Sequence, residues 1–263
     1  MFEMICKSYA RIFARNIFRK FNILLFHLSL RGLGVLNWQN DRLSGEKEWA
    51  NHYLRGKQAP VVLDVGANIG KWSNSIHEIN KGARIFAFEP HPKNYTRLVE
   101  HVGDKASPFN LAVGDERSTL ELFDYEANDG SSHASLYREV ISDIHGSNCV
   151  SHSVEVIRLD DFLDEHGIEE VDLLKIDTEG NELQVLRGAE RHLKKRCIKA
   201  IQFEFNEMNI VSKASFKDFW NMLAAQYNLY RLLPGGGALK IKSYSPVFCE
   251  IYAYQNIVAL LKE

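Results

Sequence analysis

Apolar positions recur along the chain with two different spacings, and segments of the two kinds follow one another from residue 60 onward. Runs of β-branched and aromatic residues that close at Gly or Pro predict buried strands, whereas apolar residues three or four positions apart predict helices. Strands are predicted within 60–67, 83–90, 107–115, 118–125, 153–167, 171–177, 198–206, 227–237 and 247–260, and helices at 70–81, 92–102, 181–195 and 215–226. Strands that alternate with helices indicate an α/β fold whose mostly parallel sheet carries helices on both faces.

Residues 1–38 differ from the rest because they are strongly basic. They hold six Lys or Arg residues and one acid, a net charge of +5, and an apolar stretch at 21–30. That stretch is shorter than the roughly 20 apolar residues of a membrane-spanning helix, and no signal-peptide cleavage site follows it. We expect a basic helical extension over 1–58 and one domain over 59–263. Residues 1–38 then form a helical cap, a peripheral contact with an anionic membrane, or a homodimer contact.

The overall composition is that of an ordinary globular protein, with 263 residues of which 45% are hydrophobic and 25% charged. The net charge of −2 gives no reason to expect a nucleic-acid partner. The four cysteines form no CxxC pair, and Cys197 and Cys249 lie in or beside apolar runs. We therefore expect reduced thiols in a cytoplasmic protein, and neither a disulfide framework nor a zinc site.

A turn with two glycines follows the first predicted strand. The segment DVGANIG contains Asp64, Gly66, Asn68 and Gly70. Gly66 permits a tight turn and a close approach of the backbone to a ligand, and Gly70 permits close contact between helix and strand. Glu89 ends the second strand nineteen residues after Gly70, where an acid accepts hydrogen bonds from ribose hydroxyls. This spacing predicts a nucleoside-containing cofactor.

Two cofactor classes compete for this turn. Dinucleotide sites use GxGxxG, but Asn68 stands where that motif has its second glycine, and Asp64 would meet a pyrophosphate poorly. An acid suits the cationic methionine end of S-adenosylmethionine, so methyl-donor binding is favoured over nicotinamide or flavin. Purely structural roles are the alternatives: turn capping for Asp64 and helix capping before Pro90 for Glu89.

Four segments together resemble one known family. They are VVLDVGANIG, IFAFEPHP, NLAVGD and VDLLKIDTEGNELQVLRGAE, within residues 60–206, and they are similar to the FkbM-type methyltransferases. The resemblance implies a Rossmann-like class I methyltransferase fold with a seven-stranded sheet, and S-adenosylmethionine as the cofactor. It implies methylation of hydroxyl oxygens on glycans, lipid-linked oligosaccharides or macrolide-type metabolites.

By position, the resemblance also assigns cofactor contacts. Asp64, Gly66, Asn68 and Gly70 are expected to line the methionine end of the cofactor, and Glu89 to hold the ribose. Residues Asn110 to Val113, which include Ala112, are expected beside the adenine. The chain departs from the family pattern at Asn181, which the family more often replaces with a small residue, and we expect this to affect the start of a helix rather than the chemistry.

Carboxylates follow two predicted strands where each strand ends. Asp177 and Glu179 follow the fourth core strand, and Glu204 lies in the fifth. If the two strands are neighbours, Asp177 and Glu204 lie close together, and their mutual repulsion raises one pKa and favours a base that works near neutral pH. Alternatively, the acids hold a divalent cation, since oxygen ligands suit magnesium, calcium or manganese. Lys175 is expected to pair with Asp177 or with another sheet-end acid.

The polar stretch 126–152 is long and irregular, which is typical of functional loops. Within it, His133 is a candidate base or substrate contact, with a solvated loop histidine as the alternative. Glu179 has a helix-capping alternative, and Glu182 is expected to be a surface acid of the first helical turn. These residues complete the candidate catalytic set of Asp177, Glu179, Glu204 and His133.

The combined prediction is an S-adenosylmethionine-dependent O-methyltransferase acting on a sugar hydroxyl of a bacterial surface polysaccharide or its lipid-linked precursor. The acceptor is then a carbohydrate or glycolipid, and the protein is cytoplasmic, with the inner face of the membrane as a further location. The alternatives are methylation of a macrolide-type secondary metabolite and a non-catalytic partner subunit that only binds the cofactor.

Overall fold

The structure is a computed structural model that describes residues 1–131, 133–144 and 146–263. Twelve α-helices and eleven strands follow the chain through these residues. The helices are α1 (Phe2–Phe13), α2 (Arg19–Gly32), α3 (Asp41–Ser44), α4 (Glu46–Leu54), α5 (Lys71–Ile79), α6 (Pro92–Val102), α7 (Leu159–Glu165), α8 (Glu182–Gly188), α9 (Glu190–Lys194), α10 (Met208–Val211), α11 (Phe216–Leu223) and α12 (Pro246–Cys249). The strands are β1 (Val61–Val65), β2 (Arg84–Phe88), β3 (Ser107–Phe109), β4 (Ala112–Val113), β5 (Ser118–Tyr125), β6 (Cys149–Ile157), β7 (Leu173–Ile176), β8 (Ala200–Phe205), β9 (Tyr227–Leu232), β10 (Ala238–Lys240) and β11 (Gln255–Leu261).

The main sheet has the strand order β10-β9-β11-β8-β7-β1-β2-β3. Strands β8, β7, β1, β2 and β3 are parallel, and β11 runs antiparallel between β8 and β9. The predicted α/β fold with a mostly parallel sheet is confirmed. The sheet has eight strands instead of the expected seven, because the chain turns back after β9 and the short β10 pairs with it.

The third predicted strand, 107–115, is divided between two sheets. Its first part, β3, joins the main sheet beside β2, whereas β4 pairs with β6 in a separate sheet of order β4-β6-β5. Between the two parts, the Asn110 amide donates to the backbone carbonyls of Glu89 and Pro90, at 2.9 and 3.0 Å. Strand β5 lies at the edge of the small sheet, as its alternating pattern predicts.

Alternate residues of each central strand face opposite layers of helices. Val62 and Leu173 pack with α4 and α5, whereas Leu63 and Leu174 pack with α7, α8 and α11. The predicted helices on both faces are therefore confirmed. Each fully buried Leu or Phe in these layers contributes about 1.5–3 kcal/mol of hydrophobic stabilisation.

The N-terminal helices α1 and α2 form a hairpin, and the predicted helical extension is confirmed. Asn22 of α2 donates to the carbonyl of Phe13 of α1 at 2.9 Å, and the ring centroids of Phe13 and Phe21 lie 5.9 Å apart. Helix α4, in contrast, packs on the main sheet through Trp49 and Leu54, and the domain boundary at residue 58 stays a prediction. In the part of the chain that the structure describes, no helix is long and apolar enough to cross a bilayer.

Candidate active site

A cavity of about 460 Å³ opens at the carboxyl edge of the main sheet, where β1, β2, β7 and β8 end. This is where open α/β sheets bind ligands. Ten residues predicted from the sequence line it: Gly66, Asn68, Glu89, Leu111, Ala112, Val113, His133, Asp177, Glu179 and Glu204. Three others, Asp64, Gly70 and Asn110, lie outside its wall.

Gly66 brings the turn after β1 into contact with the end of β7. Its φ is +82°, and a Cβ added there would lie 1.7 Å from the carbonyl oxygen of Asp177. The amide of Asp177 in turn donates to the carbonyl of Val65 at 2.9 Å. Because only glycine fits, the backbone itself forms this part of the cavity wall.

Glu89 holds the same turn from the side of β2. Its carboxylate accepts the amide of Asn68 through Oε2 and the amide of His91 through Oε1, both at 2.8 Å. Burial raises the pKa of Glu89 to about 7, although these two amides oppose the rise. Each carboxylate oxygen has a further lone pair, so Glu89 can also accept from a ligand hydroxyl.

Asp64 lies beneath the cavity floor and is fully buried. Its Oδ2 accepts from the Ser73 hydroxyl at 2.6 Å, and its Oδ1 lies 3.5 Å from the ammonium of Lys175. Lys175 also donates to Asp177 at 3.0 Å, so the expected pairing of Lys175 with a sheet-end acid is confirmed. Burial lowers the pKa of Lys175, but the charges of Asp177 and Asp64 more than offset this and keep the side chain cationic. Asp64 therefore positions Lys175, and through it Asp177.

Gly70 and Asn110 support the cavity from outside. Gly70 has a φ of +80°, and an added Cβ would lie 2.6 Å from the Val102 side chain of α6. Gly70 therefore permits close packing of two helices, whereas Asn110 turns the chain so that Leu111, Ala112 and Val113 line the cavity. These three residues supply an apolar wall.

Glu179 and His133 join the end of β7 to the long polar loop. Glu179 has a φ of +51°, and its Oε1 lies 3.2 Å from Nδ1 of His133. The hydrogen bond to Glu179 raises the pKa of His133, while burial raises that of Glu179. Ser135 of the same loop donates to the Glu179 carbonyl at 2.8 Å. The loop therefore closes over the strand ends, and a carboxylate–histidine pair faces the cavity.

Glu182 is buried, and its predicted position on the surface is wrong. Only 2% of it is exposed, because its Oε1 accepts from the Thr178 amide and hydroxyl and from the Gly180 amide at 3.0–3.1 Å. Burial raises the pKa of Glu182 to about 7, against these hydrogen bonds. Glu182 shapes the turn that presents Glu179 to the cavity.

Glu204 lies beside Asp177, because β7 and β8 pair in parallel with Ile176 opposite Phe203. One position farther along this register, Asp177 stands opposite Glu204. Burial raises the pKa of Glu204 well above its usual value, and the charge of Asp177 adds to the rise. Asn206 donates to Glu204 at 3.1 Å. This carboxyl group therefore keeps its proton to a higher pH than an exposed glutamate does, and in the protonated form it can both accept and donate hydrogen bonds.

Two aromatic residues of the cavity wall come from distant parts of the chain. Trp38 comes from the N-terminal segment, and Tyr254 precedes the last strand. Tyr254 donates to Glu46 at 3.5 Å and accepts from Asn256 at 2.9 Å. No local motif marks these residues, since each reaches the cavity from a distant part of the chain.

A second cluster of titratable residues ties the loop to α6. Asp129 Oδ1 lies 2.9 Å from Nε2 of His91 and 2.7 Å from Nε2 of His152, and Lys93 contacts the other oxygen. Nδ1 of His91 accepts the Lys93 amide at 3.2 Å, so neutral His91 carries its proton on Nε2, toward Asp129. This arrangement favours a hydrogen-bonded clasp over metal binding.

Within the described ranges, this clasp is also the only set of three His, Cys, Asp or Glu side chains whose ligand atoms all lie within 4.8 Å of one another. Asp177, Glu179 and Glu204, the acids expected in the metal alternative, are not gathered in this way. Asp177 is instead paired with Lys175, and Glu179 with His133.

Comparison with known protein families identifies the family of this chain. The model of the methyltransferase FkbM domain matches residues 64–232, which include the turn at Gly66, the buried acid Glu89 and the strand end at Asp177. The chain belongs to the FkbM methyltransferase family. The family is one of methyltransferases whose methyl donor is S-adenosylmethionine.

Curated relatives of the FkbM family share the central part of the chain. The 2-O-methyltransferase NoeI of Sinorhizobium fredii is 31% identical over 54% of this chain and 62% of its own. The hexuronic acid methyltransferase AglP of Haloferax volcanii is 28% identical over 57% and 59%. The 31-O-demethyl-FK506 methyltransferase FkbM of Streptomyces tacrolimicus is 29% identical over 54% and 64%. The matched region thus spans less than two thirds of each relative.

Solved structures of other methyltransferases are similar at lower identity. A TehB-like S-adenosylmethionine-dependent methyltransferase from Corynebacterium glutamicum superposes with a TM-score of 0.45 at 12% identity, covering 94% of this chain and all of that one. Fibrillarin from Aeropyrum pernix, in complex with S-adenosylmethionine, gives 0.43 at 14% identity, covering 83% and 76%.

Proposed function

We propose that this FkbM-family protein transfers a methyl group from S-adenosylmethionine to a hydroxyl oxygen of a carbohydrate. The observation that carries the proposal is the cavity at the carboxyl edge of the sheet. One side of it is a glycine turn held by Glu89, and the other holds the His133–Glu179 pair and Glu204. A donor site and a proton-accepting site therefore share one cleft.

The cofactor side fits the methyl donor. The backbone at Gly66 leaves no room for a side chain, and we propose that the methionine end lies there, beside Asn68. Glu89 would accept from the ribose hydroxyls, and the apolar wall at Leu111, Ala112 and Val113 would cover the adenine. When bound, S-adenosylmethionine supplies an electrophilic methyl group.

The acceptor side supplies a base. An alcohol oxygen that attacks a methyl carbon becomes acidic, and a base within reach of its proton accelerates the step by about 10²–10⁴-fold. We assign this role to His133, which Glu179 orients through Nδ1. Glu204, which lines the cavity beside Asp177, would hold a neighbouring hydroxyl, and Asp177 would align the acceptor beside Lys175.

The carbohydrate assignment draws on two sources. The names of NoeI and AglP specify a 2-O-methyltransferase and a hexuronic acid methyltransferase. In this chain, Trp38 and Tyr254 give the acceptor side aromatic surface next to carboxylates and Asn206, a combination that suits the apolar face and hydroxyls of a sugar. We propose a surface polysaccharide or its lipid-linked precursor on the cytoplasmic side of the membrane.

Two variants of the full chain test the proposal. Glu204→Gln and Asp177→Asn keep the size of each side chain, so calorimetric affinity for S-adenosylhomocysteine should stay within about twofold while methyl transfer to oligosaccharide acceptors is abolished. If both variants keep full activity, the roles assigned to Glu204 and Asp177 are wrong. If the wild-type protein binds S-adenosylhomocysteine but never turns over, it is a binding subunit instead of an enzyme.

The acceptor class is tested in cells. Mass and linkage analysis of surface glycan, with and without the protein, should reveal one sugar position that loses its methyl group. Complementation with Glu204→Gln should not restore it. An unchanged glycan together with an altered secondary metabolite would instead assign the enzyme to small-molecule methylation.

A further inference from the structure

Helices α1 and α2 expose an unusual amount of apolar surface. Twelve of the eighteen exposed large apolar side chains in the described residues lie between residues 1 and 28. Two stripes stand out: Ile5, Tyr9 and Ile12 on α1, and Phe21, Leu24, Leu25 and Leu28 on α2, each 36–57% exposed. Their spacings of three, four and seven residues place each stripe on one face of its helix. We call these seven residues the hairpin stripes. Stripes of this size mark an interaction site.

Basic side chains accompany the stripes. Arg11, Arg15, Arg19 and Lys20 are all exposed, and none of them forms an ion pair with another described residue. Arg11 follows Tyr9 by two residues, so it lies on the opposite side of α1. Lys7 is partly offset by Glu3, at 2.8 Å. The hairpin thus combines an apolar face with uncompensated positive charge.

The hairpin is fastened to the domain beside the active-site cavity. After α2, the Leu36 amide donates to the carbonyl of Tyr254 at 2.8 Å, and Val35 pairs with Gln255 as an isolated bridge. Trp38, two residues farther, lines the cavity together with Tyr254. The chain therefore passes from the hairpin directly to the mouth of the acceptor side.

We propose that the α1–α2 hairpin binds the surface of an anionic membrane and holds the acceptor side of the cavity next to it. An amphipathic helix inserts its apolar face at the level of the headgroups, and its Lys and Arg residues attract anionic lipids. A second copy of this chain is the weaker occupant, because each copy brings the same net charge of +5 over residues 1–38 and like charges repel. The proposed membrane contact does not depend on the proposed function. The role of this contact in presenting a lipid-linked acceptor does rest on the proposed function.

Vesicle sedimentation with the full chain tests the contact. The protein should sediment with vesicles that contain phosphatidylglycerol and remain in solution with pure phosphatidylcholine, and added salt should weaken the binding. Arg11→Glu with Arg15→Glu should lower the partition coefficient by roughly tenfold or more. A matched pair of reversals at the C-terminal end of α9, Lys194→Glu with Lys195→Glu, should leave the partition coefficient within about twofold of the wild-type value.

The apolar part of the contact has a separate test. Leu24→Ser with Leu28→Ser should abolish sedimentation even at low salt, since both side chains are already exposed and their replacement need not disturb folding. Equal binding to neutral and anionic vesicles, or none to either, would overturn the proposal. Dimerisation in analytical ultracentrifugation that the serine variant abolishes would overturn it in favour of a second copy.

The two proposals fail in distinguishable ways. The charge-reversal variant should methylate a water-soluble oligosaccharide at the wild-type rate and lose activity only toward a lipid-linked acceptor in vesicles. If this variant lost vesicle binding but kept its activity on the lipid-linked acceptor, the hairpin would have no role in holding the cavity next to the membrane. Absence of methyl transfer to any sugar, with vesicle binding intact, would instead refute the proposed function.

Discussion

His133 Nδ1 lies 3.2 Å from Glu179 Oε1, and this contact joins the polar loop to the end of β7. The two residues are 46 positions apart in the chain. Their hydrogen bond raises the pKa of His133, because Glu179 stabilises the protonated ring. If His133 is the base, this pair determines how the reaction depends on pH.

We expect kcat to rise with pH as His133 loses its proton, with a midpoint above the ordinary value of about 6.5. His133→Gln should lower kcat by about 10²–10⁴-fold. Glu179→Gln should move the midpoint to lower pH, and the double variant should be no slower than His133→Gln alone. Glu169→Gln, at an exposed acid near the opposite sheet edge, serves as the control. Additive losses in the double variant would contradict a working pair.

Gly66→Ala should abolish S-adenosylhomocysteine binding and destabilise the fold, because the added Cβ would meet the Asp177 carbonyl at 1.7 Å. Gly56→Ala is a matched control: its φ is also +82°, but nothing lies within 4 Å of the added atom. This control should lower the free energy of unfolding by only about 1–2 kcal/mol, because a residue with a Cβ is strained in the left-handed conformation. Denaturant unfolding and calorimetry compare the two. If both variants lost the same stability and the same affinity for S-adenosylhomocysteine, the contact of Gly66 with Asp177 would be unimportant.

Glu89 should make cofactor affinity depend on pH. Its pKa is raised by burial to about 7, so the free protein is protonated there below neutral pH, whereas ribose hydroxyls donate to the ionised form. Affinity for S-adenosylhomocysteine should therefore fall as pH decreases from 8 to 6, approaching tenfold per unit below about 7. Glu89→Gln should bind more weakly at pH 8 and lose most of this dependence. A wild-type affinity that does not change with pH would contradict the assignment.

Glu182 should make the fold less stable as pH rises. Its folded-state pKa is raised to about 7, so between about 4.5 and 7 the folded chain holds a proton that the unfolded chain has lost. The stability of the wild type relative to Glu182→Gln should therefore decrease over this range, by at most about 3 kcal/mol. Urea unfolding at several pH values measures this difference. The control is Glu190→Gln, which replaces an exposed acid on α9. Its stability should change with pH in the same way as that of the wild type.

The cofactor side was largely predictable from the sequence. Gly66, Asn68 and Glu89 line the cavity because a glycine turn after a strand and an acid at the next strand end are local features of one βαβ unit. The placement of Asp64 was less predictable. The sequence shows its position at the strand end, but whether its carboxylate faces the cavity or Lys175 depends on a strand more than a hundred residues away.

The prediction for Glu182 failed for a similar reason. A glutamate in the first turn of a helix is usually solvated, but three donors at Thr178 and Gly180 surround this one, and Asn209 lies 3.4 Å from its other oxygen. The curvature of that turn and the approach of α10 decide the burial. Neither is visible in a hydrophobic pattern.

The sequence by itself determined the alternation of strands and helices, the glycine turn and the acids at two strand ends, because periodicity and turn chemistry act over a few residues. Only the tertiary structure decided which side chains meet. It paired Glu179 with His133 and Lys175 with Asp64, and it brought Trp38 and Tyr254 together at the cavity. These contacts join distant segments, and they depend on the order of strands in the sheet and the path of the loops across its edge.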